Sequence, residues 1–186
     1  MEIKTAVLAV IDALEAEQIP YMLVGSFSSN FYGIPRSTED GDLVIELAGR
    51  SLTNLRNRLV APFQFDPQLT FENATGTQKN VVSVKGSTSK VELFRLSSEP
   101  HDQERFRRRV PVPYLGRQII LPTAEDVVIT KLSWLKLLGR IKDQEDVRNV
   151  IAVQAEQLDW PYIHRWCDEH GSRQLLEEIR GTIPPI

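Results

Sequence analysis

Cysteine is almost missing from this chain. Cys167 stands alone among 186 residues, which excludes an internal disulfide framework and leads us to expect a reducing, cytoplasmic setting. Long apolar runs are missing too. No stretch approaches the roughly 20 residues needed to span a bilayer, and the N-terminus carries no signal-peptide pattern, so neither membrane insertion nor secretion is expected. Histidine is scarce, and His101, His164 and His170 show no metal-ligand spacing. No Ser-His-Asp hydrolase pattern is visible. "GSTSK" (86–90) lacks the glycine-lysine pair of a P-loop and follows the wrong kind of element. There is no excess of positive charge either. A formal net charge of −3 excludes bulk nucleic-acid coating, so any such contact needs a local patch.

What is present is ordinary for a folded domain: 41% apolar and 25% charged residues. Val7, Leu8, Ile11 and Leu14 recur at helical spacing over 5–18, and Pro20 stops that helix. "YMLV" (21–24) is a fully apolar run that predicts a buried strand, and "FSSNFYG" (27–33) a short helix closed by Gly33 and Pro35. "LVIEL" (43–47) is a second strand. Ser51 is placed to cap a helix through Leu59. Three more strands are predicted at 79–84, 90–96 and 117–121, separated by glycine and serine turns. Beyond Pro122 only helices follow, at 124–139, 142–154, 161–170 and 175–179. Together these predict an α/β (α+β) chain: a mixed-sheet core over 1–121, and a helical region over 122–186 packed on it as one unit.

One strand begins oddly. "TEDGDLVIEL" (38–47) keeps Glu39, Asp40 and Asp42 at the point where strands usually shed charge. Alternation puts Asp40 and Asp42 on one face, roughly 6.5–7 Å apart, with Glu39 and Gly41 on the other. Two carboxylates on one face repel unless a cation compensates them, and a hard divalent ion such as Mg2+ prefers oxygen ligands. Glu92, a carboxylate inside the apolar "KVELF" strand, is a candidate third ligand. The plainer reading is a solvated loop before the strand with Glu92 facing water. An EF-hand is excluded, because its later oxygen ligands and sixth-position glycine are absent.

Upstream, "LVGS" (23–26) reads as strand, Gly-Ser turn, helix start. A glycine there permits close backbone approach, a helix N-terminus offers unpaired N–H groups, and Ser26 adds a hydroxyl. Such a turn holds nucleotide phosphates while carboxylates hold the metal that bridges them. An ordinary tight turn would look the same in isolation. The pairing of the turn with Asp40 and Asp42, one short helix later, is more specific than either alone.

The combination Leu23-Val24-Gly25-Ser26, then Asp40-Gly41-Asp42, resembles the minimal nucleotidyltransferases of the DNA polymerase β superfamily. The run Arg36-Ser37-Thr38-Glu39-Asp40-Gly41-Asp42 is similar to the AbiEii-type subgroup, which includes toxins of bacterial toxin–antitoxin systems. A second block, with Lys131 on a helix and then Arg140, Lys142, Asp143 and Asp146, resembles the same subgroup. Asp143 and Asp146 are three apart and share a helix face. The resemblance implies a nucleotidyltransferase fold with Mg2+ (or Mn2+) as cofactor and an NTP as substrate. NMP would pass to a hydroxyl acceptor, with RNA or tRNA as acceptor and an antitoxin protein as partner in the toxin-like case. A small acceptor of the aminoglycoside kind is the other enzymatic possibility, and a nucleotide-binding partner subunit without transfer is a third. By that resemblance Gly25, Ser26, Arg36, Thr38, Lys131 and Lys142 would bind the nucleotide. Asp40, Asp42 and Glu92 would hold metal, and Lys131 and Asp143 would join these carboxylates as catalytic residues.

Two residues depart from the family pattern: Glu92 stands where Asp is usual, and Gly41 where an aliphatic residue is usual. Both departures are expected to touch the metal site. "RFRRR" (105–109) reads as a solvated basic turn or a contact for RNA phosphates. Cys167, on an amphipathic helix with Ile163 and Trp166, reads as a packed thiol.

Overall fold

The computed structural model describes residues 1–72 and 76–184, so the last two residues of the predicted helical region lie outside it. The chain opens with α1 (Ile3–Ala16), whose Val7, Val10, Ile11 and Leu14 form a buried stripe at helical spacing. β1 (Tyr21–Val24) runs directly into α2 (Gly25–Tyr32), and β2 (Asp40–Ile45) follows after a loop. Next come α3 (Thr53–Arg58), β3 (Phe63–Phe65), β4 (Thr70–Phe71), β5 (Gln78–Val84) and β6 (Lys90–Arg95). α4 (Pro100–Arg108) leads to a separate hairpin of β7 (Val110–Tyr114) and β8 (Arg117–Leu121). The remainder is helical: α5 (Ala124–Leu138), α6 (Ile141–Gln154), α7 (Trp160–Glu169) and α8 (Arg173–Arg180), with a 3-10 turn at Ala155–Gln157.

The main sheet has the order β1-β2-β6-β5-β3, with β4 also pairing β5. It is mixed: β2 and β6 run parallel, while the other pairs are antiparallel. The predicted mixed α/β class is therefore the observed one. The parallel pairing sets Asp42 opposite Glu92 and Asp40 opposite Lys90. Because side chains alternate, Asp40, Asp42, Lys90 and Glu92 share one face of the sheet, and Gly41, Leu43, Val91 and Leu93 share the other.

α1 covers that second face, and its buried residues join Leu43, Ile45, Val82, Val91 and Leu93 in one apolar cluster. A second cluster lies among α5 to α8, from Ala124 to Ile179. Tyr32, at the end of α2, packs against both, and its hydroxyl donates to the carbonyl of Pro122 at 2.9 Å. Cys167 is fully buried in the helical cluster, as a packed thiol should be, and burial pushes its pKa up.

Four elements differ from the sequence reading, among them the two-residue β4. α4 replaces the expected basic turn: its buried face is His101, Arg105 and Phe106, so only one apolar residue marks it and no helical periodicity is visible. Arg107 is exposed, but the other arginines of the cluster are occupied within the fold. Arg105 pairs with Asp102 at 2.7 Å, and the Arg108 guanidinium lies 3.9 Å from the Tyr162 ring centroid, while that of Arg109 lies 4.0 Å from the Phe106 ring. β3 and β7 were missed as well, one of three residues and one interrupted by prolines. Ser51 does not cap α3 from its N-cap position; its hydroxyl accepts from the Thr53 N–H at 3.1 Å, just ahead of the helix.

The helical region is pinned through Asp126, which is fully buried on α5. Tyr162 donates to its Oδ1 at 2.7 Å and Thr123 to its Oδ2 at 2.9 Å, and His101 Nε2 lies 3.2 Å from Oδ1. Burial alone would raise this carboxyl, but these partners outweigh it and hold its pKa low. One carboxylate thereby joins α4, α5 and α7.

Candidate active site

The Gly-Ser turn and the acidic strand start meet. β1 and β2 pair antiparallel with Val24 opposite Asp42, so the turn after Val24 comes to lie over the Asp42 side chain. Gly25 has φ +64°, and a Cβ placed on it would sit 2.1 Å from Asp42 Oδ2. Only glycine serves here, for the backbone conformation and for the space alike. The first N–H groups of α2 then stand at this end of the sheet, and the Ser28 hydroxyl closes the turn from inside by donating to the Gly25 carbonyl at 2.9 Å.

The carboxylates are under electrostatic stress. Burial, then the charges of Glu92 and Asp40, push the Asp42 pKa up to about 6, against the pull of Lys131 and Lys79. Glu92 behaves oppositely. It is only 8% exposed, and burial favours its neutral form. Yet Lys79 and Lys90 donate to its Oε1 at 3.0 and 2.9 Å and hold its pKa below the ordinary value. Glu92 therefore does not face water. It shares a face with Asp40 and Asp42, and two lysines already compensate its charge. Among the described residues no three His, Cys, Asp or Glu side chains converge into a ready metal cage.

The second sequence block reaches the same place from the helices. On α6, Asp143 is fully buried and Asp146 is 4% exposed; on α5, Lys131 is 8% exposed. Lys131 Nζ lies 2.9 Å from Asp143 Oδ1 and 2.8 Å from Asp146 Oδ2. Arg140 completes the Asp143 carboxylate with a 2.7 Å bond to Oδ2. Asp146 also receives a two-pronged contact from Arg36, Nε at 2.8 Å and Nη2 at 3.0 Å, and the same Nη2 donates to Ser26 Oγ at 2.9 Å. A continuous chain of charged contacts thus runs from Ser26 through Arg36, Asp146 and Lys131 to Asp143 and Arg140. Asn30 fixes the loop that carries Arg36, accepting from its N–H at 3.0 Å and donating to its carbonyl at 2.7 Å.

Of the residues singled out from sequence, the structure brings together Gly25, Ser26, Arg36, Asp40, Asp42, Glu92, Lys131 and Asp143. Thr38 turns to the backbone instead, donating to the Asp40 carbonyl at 3.0 Å, where it shapes the entry to β2. Lys142 is exposed on α6 and makes no ion pair among the described residues, unlike its neighbour Asp143. Gly41 does not belong to the carboxylate face. Its missing side chain faces α1, where a Cβ would lie 2.3 Å from Val7 Cγ2. The glycine that departs from the family pattern therefore answers to helix packing on the far side of the sheet.

Asp146, Lys79 and Lys90 carry more of the electrostatics than the sequence suggested. Lys90 was legible, since it precedes Glu92 by two and shares its strand face. Lys79 was not, because its approach depends on the β5–β6 register. Asp146 is the junction of two cations, so Asp146→Asn should cost about 2–4 kcal/mol in chemical denaturation, a little under the about 3–5 kcal/mol of a fully buried pair because the Arg36 side chain is 30% exposed. A loss below about 0.5 kcal/mol would mean that Arg36 and Lys131 find equal partners without it.

No family model matches the sequence, and comparison with curated proteins finds no match. Comparison of folds does find relatives, and they define the architecture: the chain has the nucleotidyltransferase fold. It is similar to the antibiotic-resistance factor ANT(2'')-Ia, solved in complex with adenylyl-2''-tobramycin, with 11% identity and a TM-score of 0.62 over 91% of this chain and 97% of that one. It is also similar to an antigenic nucleotidyltransferase-like protein from Paracoccidioides brasiliensis, with 21% identity and a TM-score of 0.57 over 100% and 94%. A third likeness is to the lincosamide antibiotic adenylyltransferase LnuA, with 10% identity and a TM-score of 0.50 over 79% and 95%.

Proposed function

We propose that this chain is a nucleotidyltransferase of the polymerase β superfamily, which transfers NMP from an NTP to a hydroxyl group. The observation that carries the reading is the contact of the Gly25 backbone with the Asp42 carboxylate, which joins a phosphate-binding turn to an acidic strand start. The link from Arg36 to Asp146 unites the two motif blocks and supports the AbiEii-type placement within that superfamily.

The donor set suits Mg2+, and Mn2+ by the same chemistry. Asp40 and Asp42 offer hard oxygens on one face, and the raised pKa of Asp42 marks negative charge in want of a cation. The lack of a three-residue cage is compatible with this, because Mg2+ commonly binds through one or two carboxylates, phosphate oxygens and water. When bound, such an ion would neutralise triphosphate charge and polarise the reacting phosphoryl group.

The chain's own groups have distinct tasks in this reading. The Gly25–Ser26 turn presents N–H groups and a hydroxyl to phosphate oxygens. Lys131, already close enough to lower the pKa of Asp42, sets a positive charge beside the phosphates. Asp143, Asp146 and Arg140 hold that lysine and Arg36 in position. The acceptor oxygen forms a bond to the α-phosphorus while the α–β anhydride bond breaks and pyrophosphate leaves. The hydroxyl proton passes to a carboxylate of the Asp40–Asp42–Glu92 face.

A small hydroxyl-bearing acceptor is favoured over RNA or tRNA, because Arg105, Arg108 and Arg109, which could have met RNA phosphates, are occupied within the fold and leave Arg107 as the exposed member of that cluster. One observation favours a second reading, nucleotide binding without transfer as a partner subunit, for instance with an antitoxin protein: Glu92 is already neutralised by Lys79 and Lys90. The test is incubation of the protein with each labelled NTP and Mg2+ or Mn2+, with aminoglycosides, with RNA, or alone. Label on a small acceptor, lost in Asp42→Asn, supports the first reading. Label on RNA moves the acceptor assignment to the toxin-like case. Metal-dependent NTP binding without any transfer selects the partner role, and the absence of both transfer and binding sinks the proposal.

A further inference from the structure

We propose that a cleft on the opposite face of the sheet, between Arg56 of α3 and Arg95 of β6, binds a small organic oxyanion, either a phosphate monoester or a carboxylate. The cleft measures about 280 Å³ and is lined by Arg56, Arg95, Asn80, Ser51, Phe65 and Leu69 among others. That volume is at the lower end for ligand pockets, which limits the occupant to a small molecule.

Arg95 is the group that needs explaining. It follows Val91 and Leu93 on the α1-covered side of β6, beyond the apolar cluster, so the alternation of the strand points it away from the carboxylate face. Its Nη2 donates to Asn80 Oδ1 at 2.8 Å. Its Nη1 is buried and has no hydrogen-bond partner among the described residues. Neither Arg95 nor Arg56 makes an ion pair among them, and no acidic residue lines the cleft. Glu46, in an adjoining groove, acts on Arg109. A buried guanidinium donor without a carboxylate is costly, and in a chain of net charge −3 a second arginine beside it, with no ion pair among the described residues, is a departure from the surroundings.

Guanidinium forks match the oxygens of phosphate and carboxylate groups. The occupant's anionic head would meet Arg95 Nη1 and Arg56, with the Ser51 hydroxyl at the edge, while Phe65 and Leu69 offer an apolar wall for its body. This site does not depend on the function proposed above, since it shares no residue with the Gly25–Asp42 region.

Two probes test it on the full-length protein in low-chloride buffer: inorganic phosphate and benzoate, titrated separately. Calorimetry and the 15N signals of arginine side chains are the readouts. Saturable binding of a probe that shifts the Arg95 signals is expected. It should weaken about tenfold in Arg56→Gln, the fold-change of one charge-assisted hydrogen bond. Arg56 is exposed, so this variant should fold as the parent does. Ser26→Ala, which alters the other phosphate-binding region, should leave the binding intact. Phosphate alone binding assigns the phosphate monoester class, and benzoate alone the carboxylate class. The proposal is overturned if neither probe saturates below about 10 mM. Binding undiminished in Arg56→Gln overturns it as well, as does binding lost in Ser26→Ala with the Arg95 signals unmoved.

Discussion

Asp42→Asn should abolish transfer and, in the same protein, raise the midpoint of thermal unfolding. The loss of turnover is expected to be about 10²–10³-fold or more, the usual consequence of removing one preorganised charge from a transfer site. The gain in stability follows from the raised pKa of Asp42, near 6 in the folded chain and near 3.9 when unfolded. Between those values the folded state binds more protons than the unfolded one, so stability falls as pH rises from about 4 to 6 and stays reduced above that. At neutral pH the cost is present in full. For a half-buried group we set it at about 1–2 kcal/mol, which corresponds to about 3–6 °C in a chain of this size. Calorimetric scans at pH 4.5 and 7.5 check both the gain and its sign, since the advantage of the variant should shrink at the lower pH. Mg2+ should raise the midpoint of the parent and leave that of the variant unmoved. A variant less stable than the parent at pH 7.5 would show that Asp42 is a structural group and not a strained ligand.

The second large effect is expected at Gly41. Alanine in a strand ordinarily gains about 0.5–1 kcal/mol over glycine. Here its Cβ would meet Val7 Cγ2 at 2.3 Å, and Val7 is fully buried with a stiff, β-branched side chain. Overpacking of that kind costs about 1–3 kcal/mol, so the clash wins and Gly41→Ala should be destabilising by about 1–2 kcal/mol; valine should be worse. The double change Val7→Ala with Gly41→Ala should recover part of the loss, because the methyl that fills the space is gone. Denaturant titration of the four proteins in the cycle gives the coupling directly. Strict additivity would mean that the two residues do not compete for one volume. NTP binding should survive in Gly41→Ala at temperatures where the fold persists, since the substitution acts on the α1 side.

The parts of the site that could be read from sequence are those carried by neighbours in the chain. Gly25 and Ser26 follow an apolar run, Asp40 and Asp42 alternate on a strand, and Asp143 and Asp146 share a helix face. Each is a local pattern, and each is where the pattern says. Partner choice is not local. Lys79 reaches Glu92 only because β5 takes a particular register, and Arg36 meets Asp146 across 110 residues. Gly41 was misjudged for the same reason, because the volume it leaves is used by a residue from α1. In the fold, periodicity revealed the long helices and the buried strands. It could not reveal α4, whose inward face is a histidine, an arginine and one phenylalanine held by polar contacts.

The long reach of the Arg36–Asp146 pair and the parallel pairing of β2 with β6 also bear on how the candidate site assembles. Antiparallel neighbours such as β1 and β2 close short loops and can form early, whereas parallel strands and contacts distant in sequence impose a larger closure entropy before they stabilise anything. Asp42 meets Glu92, and Ser26 receives Arg36 in its final orientation, only through contacts of that slower kind. In refolding, backbone structure should therefore return ahead of nucleotide binding, and a fragment ending before α5 should recover the turn and the acidic strand without Lys131 or the Asp146 carboxylate that orients Arg36.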